Sequence, residues 1–252
     1  MKHLDLFSGI GGFALAAQWF WGDRHEVLAF CEQDPWARKV LTKHWPDVPC
    51  VEDVRDFNLS CSVDLLTGGW PCQDNSNANQ SASRGSGLSG ERTGLWNELI
   101  RIMGSVRPRW AILENVSNVL RVNGGLDWGR CLHDLAEIGY DAEWGCFTAS
   151  MFGAPHHRER VFVVAYPAGI RHEESESILG NIQAQEGQAV RRVSAGAACM
   201  VGGAWDTKPP ICGVDDGGAS RSHRYRGLGN AVVPQVALRI MEAIREADAT
   251  MR

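Results

Sequence analysis

Three kinds of residue in the 252-residue chain have the types and spacing for bond-making chemistry: one cysteine, one acid and a pair of arginines. Cys72 stands in 68-GGWPCQDNSNA-78, straight after a short apolar run and two glycines. A thiol there could be a packed core group, half a disulfide, a metal ligand or a nucleophile. It becomes a nucleophile where its thiolate is favoured and a substrate can reach it. Glu114 ends the apolar run of 110-WAILENV-116, where an acid is costly to bury without a partner. Arg158 and Arg160 lie in 155-PHHRERVF-162 and can supply that partner. Placed together, these groups suit covalent activation of an electron-poor ring. The thiolate adds, the carboxyl holds a ring nitrogen and an arginine holds a ring oxygen.

A second set suits binding. In 5-DLFSGIGGFA-14, Gly9, Gly11 and Ala14 fit a G-x-G-x-x-A turn between a strand and a helix. Glycines there let a ligand approach the backbone, and the helix N-terminus favours polar groups. Glu32 follows a second strand and is placed to accept hydrogen bonds from ribose hydroxyls. Asp53, near another strand end, suits an amine donor. These residues point to a nucleoside-containing cofactor. By themselves they do not separate a nicotinamide dinucleotide from S-adenosylmethionine; the Cys72 set does.

The elements that must position these residues follow from hydrophobic periodicity. Strands are expected at 3–7, 26–31, 63–67, 110–114, 142–149 and 160–166, with helices at 12–21, 34–44, 94–104 and 126–138. Alternating strands and helices imply an α/β fold, a mostly parallel sheet covered on both faces, with ligands at the carboxyl ends of the strands. Residues 74–94 are rich in Ser, Asn and Gly and read as a loop. Residues 167–226 break the rhythm, and 227–247 return to a turn and an amphipathic helix. The expected division is a main domain at 1–166 and 227–252 around a small insertion at 167–226.

Composition narrows the class. Apolar content of 44% and charged content of 22% are ordinary for a globular protein. The net charge of −5 excludes a uniformly basic nucleic-acid coat. Arginines nevertheless cluster in the second half, at 158 and 160, 191 and 192, and 221, 224 and 226. The eight cysteines lack zinc-knuckle spacing and read as free thiols, and no metal site is expected. There is no signal-peptide pattern and no membrane-length apolar run, so the expected location is the cytoplasm.

Taken in order, DLFSGIGGF, CEQDPWA, GGWPCQ, ENV, RERVFVVA and GLGNAVVPQVA resemble the DNA (cytosine-5) methyltransferase family, in a compact bacterial or phage-like form. The resemblance implies a Rossmann-like fold, S-adenosylmethionine as methyl donor and double-stranded DNA as substrate, with 1–166 and 227–252 as the catalytic domain and 167–226 as a small target-recognition region. It implies methylation of C5 of a flipped-out cytosine within a specific sequence. Phe7, Gly9, Gly11, Glu32, Gln33, Asp53, Val54, Pro71, Leu95 and Asn230 would bind the cofactor. Cys72 would attack C6 of the base, Glu114 would hold N3 and the exocyclic amine, and Arg160 would contact O2 with Arg158 in support. The 74–94 loop would close over DNA, with Arg84 as a contact. A monomer is expected, and a cognate restriction enzyme is compatible with the pattern. Two positions depart from the family: Asn75 replaces an aromatic residue, and His156 replaces a Gln ahead of the two arginines. Methylation of RNA and a catalytically weak DNA-binding regulator are the alternatives.

Overall fold

The first strand, β1 (Lys2–Leu6), is buried at every residue but its first. Near-continuous burial is the mark of a strand covered on both faces, as parallel sheets require. In the computed structural model, which describes residues 1–70, 94–170, 177–182 and 229–250, β1 lies near the middle of a seven-stranded sheet. The other strands are β2 (Glu26–Cys31), β3 (Cys50–Val51), β4 (Leu65–Gly69), β5 (Trp110–Val116), β6 (Tyr140–Thr148) and β7 (Glu159–Pro167). Their order is β3-β2-β1-β4-β5-β7-β6. β1 pairs in parallel with β2 and β4, and β4 with β5, whereas β7 runs antiparallel to both β5 and β6.

Neighbouring residues of each strand point to opposite faces, and the helices sort accordingly. Leu66, Leu113 and Val163 face Trp96, Leu99 and Met103 of α3 (Gly94–Val106) and Leu135 of α4 (Leu126–Glu137). Leu65, Ile112 and Val164 face Phe13 and Ala17 of α1 (Gly12–Trp21) and Val236, Ile240 and Ile244 of α5 (Pro234–Thr250). Between β2 and β3, α2 (Pro35–His44) starts where Asp34 accepts from the N–H groups of Trp36 (2.8 Å) and Ala37 (3.1 Å), with proline at the first helical position.

The expected strands and helices agree with these elements to within about two residues at most ends. β3 was not among them: two residues are too few to show an alternation. Part of the 167–226 region is also more ordered than its composition indicates. Residues 178–182 are helical, with Ile178, Leu179 and Ile182 buried against the α1–α5 face. The 74–94 loop and most of 167–226 lie outside the described residues. Among those described, no helix is long and apolar enough to cross a membrane.

The strand order places the site. The chain runs outward from β1 through β2 to β3, then restarts on the other side of β1 with β4. At that reversal the connections leave in opposite directions, opening a crevice beyond the carboxyl ends of β1 and β4. The chain's return after 228 closes against the same end. Gly12 makes this approach feasible, because a Cβ there would lie 2.7 Å from the Val232 carbonyl oxygen. Replacing Gly12 with Ala should lower stability by about 1–3 kcal/mol through overpacking. A thermal unfolding midpoint equal to the parent's would show that the 229–233 segment gives way at no cost.

Candidate active site

Five strands end at this crevice and a sixth begins there. The turn after β1 is built to expose its backbone: Phe7, Gly9 and Gly11 have φ of 52°, 54° and 83°. For Phe7 the left-handed conformation is strained, and such strain persists where the surroundings enforce it. A Cβ on Gly9 would meet nothing within 4 Å, so that backbone faces open space. Gly11 serves packing instead, since a Cβ there would meet the Trp45 ring at 2.7 Å. Glu32, after β2, anchors the turn. Its carboxylate accepts from Gly9 N at 2.7 Å and from Asp34 N at 2.7 Å. Burial raises its proton affinity, and the backbone donors oppose that rise.

Asp53 caps a single 3-10 turn, accepting from Arg55 N at 2.9 Å. Arg101 on α3 braces that turn by donating to the carbonyls of Val54 (3.3 Å) and Phe57 (3.2 Å). The buried Cys31 thiol also lines the crevice; burial pushes it up to about 12, so it stays neutral.

On the other side, Glu114 ends β5 and is 7% exposed. Its carboxyl comes close to β4 because Gly69 pairs with it; a Cβ on Gly69 would lie 3.2 Å from Glu114 Oε2. Arg160 approaches Glu114 Oε1 at 2.9 Å. That contact is an ion pair whose N–H is poorly aligned on Oε1. Burial raises the proton affinity of Glu114, and the charges of Arg160 and Arg158 work against it. The antiparallel course of β7 makes the pair possible, setting Arg160 opposite Val116 and the start of β7 beside the end of β5.

Arg158 turns the other way. It donates to the carbonyl of Ala231 at 2.9 Å and to that of Gly229, so it grips the segment carrying Asn230. Asn115, 1% exposed, donates to the carbonyl of Trp70 at 3.4 Å and so fixes the exit of β4. Trp70 in turn packs on Trp96 with ring centroids 5.0 Å apart.

The result is one cavity of about 460 Å³. Phe7, Gly9, Glu32, Gln33, Asp53, Val54, Leu95 and Asn230 line it, and so do Glu114, Arg158 and Arg160. The profile of the C-5 cytosine-specific DNA methylase family matches residues 1–196. The chain belongs to that family.

Relatives of this chain include Type II methyltransferases. M2.BsuMI of Bacillus subtilis (strain 168) is 36% identical over 169 residues, covering 66% of this chain and 42% of the relative. M.CviJI of Paramecium bursaria Chlorella virus IL3A is 30% identical over 237 residues, covering 92% and 56%. The chain spans about half the length of these curated relatives. A mutant of DNMT2 from Spodoptera frugiperda superimposes with a TM-score of 0.63 at 16% identity, covering 96% of this chain and 98% of that one. Dnmt2 of S. pombe gives 0.56 at 19%, covering 73% and 55%. At these identities the two structures share the fold.

Of the described catalytic and cofactor-binding candidates, the fold gathers all except Gly11 at the cavity wall, while Ala14 is buried away from it. Cys72, Pro71, Asn75 and Arg84 lie outside the described residues, and His156 is exposed. Trp36, Trp70 and Asn115 also line the cavity and had no assigned role. An aromatic residue beside the Asp34 cap was the available signal for Trp36. Arg158→Ala should destabilise the protein by about 2 kcal/mol, from two lost charged hydrogen bonds. Hydrogen exchange should quicken chiefly at 229–236. Quickening spread evenly over the sheet would contradict the clamp.

Proposed function

We propose that the chain is a DNA cytosine-C5 methyltransferase that takes its methyl group from S-adenosylmethionine. What carries this reading is that both residue sets line one cavity, the turn of Gly9 with Glu32 and Asp53 on one side and Glu114 with Arg160 on the other. The first set fits a nucleoside-bearing donor. Open space beside Gly9 leaves room for close approach, and Trp36 and Phe7 offer apolar faces between two acids. Glu32 would hold ribose hydroxyls, Asp53 the adenine amine, and Asn230 would help close the site. When bound, S-adenosylmethionine supplies an electrophilic methyl group.

The chain's own residues would make the cytosine ring reactive. The Cys72 thiolate forms a bond to C6 of a cytosine turned out of the duplex. Glu114 delivers a proton to N3, which its buried setting helps it retain until then, and accepts from the exocyclic amine. Arg160 holds O2 and keeps Glu114 from becoming an uncompensated buried charge. Electron density then collects at C5, the methylated position. The methylated C5 then loses its proton to water, Cys72 leaves as the thiolate, and N3 returns its proton to Glu114, which restores the ring and the enzyme. Arg158 keeps Asn230 over the donor side.

The test is to incubate the protein with tritiated S-adenosylmethionine and either unmethylated genomic DNA or RNA, then identify the labelled base. Label should appear in DNA 5-methylcytosine and vanish with Cys72→Ala. Glu114→Gln should lower the rate by about 10²–10⁴-fold, the range of a lost proton-transfer group. Label only in RNA would move the substrate, and label in another base would sink the reading.

A further inference from the structure

Beneath the cavity lies a line of polar groups that the proposed chemistry does not use. Asp5 and His3 on β1 and Thr67 on β4 are each wholly buried. Asp5 Oδ1 is 2.6 Å from Thr67 Oγ1, Thr67 Oγ1 is 2.7 Å from His3 Nε2, and His3 Nδ1 is 2.9 Å from His25 Nε2. His25, half-buried before β2, is the end nearest solvent. Asp5 Oδ2 has no hydrogen-bond partner. A buried carboxylate with one donor and no cation is poorly supported, so the geometry favours the neutral acid. The groups facing the chain are few. Glu32 and Cys31 approach Asp5 from the β2 side and Cys50 from β3, and the N-terminal ammonium acts on His25. Burial, opposed by the Thr67 hydroxyl and reinforced by Glu32, pushes Asp5 up to about 8. Burial lowers His3, and with the N-terminal ammonium brings His25 down to about 4.

We propose that Asp5 is a positioning residue of the donor site, acting as an uncharged acid that ties β1 to β4 through Thr67 and discharges its proton through His3 and His25. This rests on the cavity being a methyl-donor site. The neutral acid sets the chain's direction: Asp5 O–H donates to Thr67, Thr67 donates to His3 Nε2, and His3 Nδ1–H donates to His25 Nε2. When His25 gives up its Nδ1 proton to water, each member passes one proton along. Asp5 is left ionised, with Thr67 donating to it, His3 carrying its proton on Nε2 and His25 donating from Nε2. One proton leaves and each intervening hydrogen bond reverses. The site feels the change through two attachments. Ser8 donates to the Asp5 carbonyl at 2.6 Å, just before the Gly9 turn, and Thr67 directly precedes Gly68, Gly69 and Trp70.

Folding raises the affinity of Asp5 for its proton above the ordinary 3.8, so its stabilisation is full below that value and is lost as pH rises through about 8. His25 behaves in the opposite sense, contributing above 6.5 and losing that contribution as pH falls through about 4.

The test follows the thermal midpoint, the His3 tautomer by ¹⁵N NMR and the affinity for S-adenosylhomocysteine, between about pH 6 and pH 9.5. Asp5→Asn keeps the shape and neutrality of the protonated acid and can still donate to Thr67, but does not ionise. The parent should lose stability and about tenfold in affinity over this range, while its His3 proton moves from Nδ1 to Nε2. Asp5→Asn should show neither loss, and comparison with it cancels titration of the ligand itself. Thr67→Val should shift the alkaline loss to higher pH and leave the His3 tautomer insensitive to it. Parallel profiles for parent and Asp5→Asn, or a parent His3 tautomer constant throughout, would overturn the proposal. If S-adenosylhomocysteine binds at no pH, the donor-site reading fails and the positioning role with it. The stability and tautomer readings then still decide whether the proton chain exists.

Discussion

A carboxyl group buried at the end of a sheet must have a cation beside it or give up its charge, and the site is arranged around that condition at Glu114. The cation is Arg160, 2.9 Å away. In an all-parallel sheet the start of the next strand would lie at the opposite end of the molecule from the end of β5. The antiparallel course of β7 brings Arg158 and Arg160 to the carboxyl edge instead. Gly69 completes the arrangement by leaving β4 without a side chain where the carboxyl group lies. Burial raises the proton affinity of the carboxyl group and the guanidinium opposes that rise, so the two act against each other on one proton.

The second half of the site depends on closure between distant parts of the chain. Gly12 admits the Val232 carbonyl, Arg158 grips the carbonyls of residues 229 and 231, and Arg109 holds Asp248 at 2.7 Å near the other end of α5. Each contact spans more than 70 residues, so the site depends on tertiary assembly rather than on local sequence. The Asp5–Thr67–His3 line works at closer range, joining two adjacent strands on either side of the crevice. It exchanges apolar packing for directional hydrogen bonds, which specify alignment but leave the site sensitive to protons.

Much of the site was legible because its chemistry sits in short local patterns. The turn after β1 announces itself through glycines between an apolar strand and an apolar helix, and Glu114 stands out as an acid ending an apolar run. Gly11 marks the limit of such reading. As a letter in a glycine pattern it belongs with Gly9, but the fold uses it to admit the rings of α2's C-terminal side, and Gly9 alone faces open space. Trp36 and Asn115 were harder to assign because a tryptophan in a helix or an asparagine at a strand end has many ordinary uses.

The sequence by itself determined the element types, the two residue sets and the family resemblance, because strand and helix periodicity and turn chemistry act over a few residues. Tertiary structure alone decided the partners. The direction of β7, the two-residue β3 and the burial of 178–182 follow from pairing and packing against surfaces assembled elsewhere in the chain. The same is true of the protons. Asp5, Thr67 and His3 are unremarkable letters in sequence, and only their enclosure between neighbouring strands, away from water and cations, makes a carboxyl group there hold its proton.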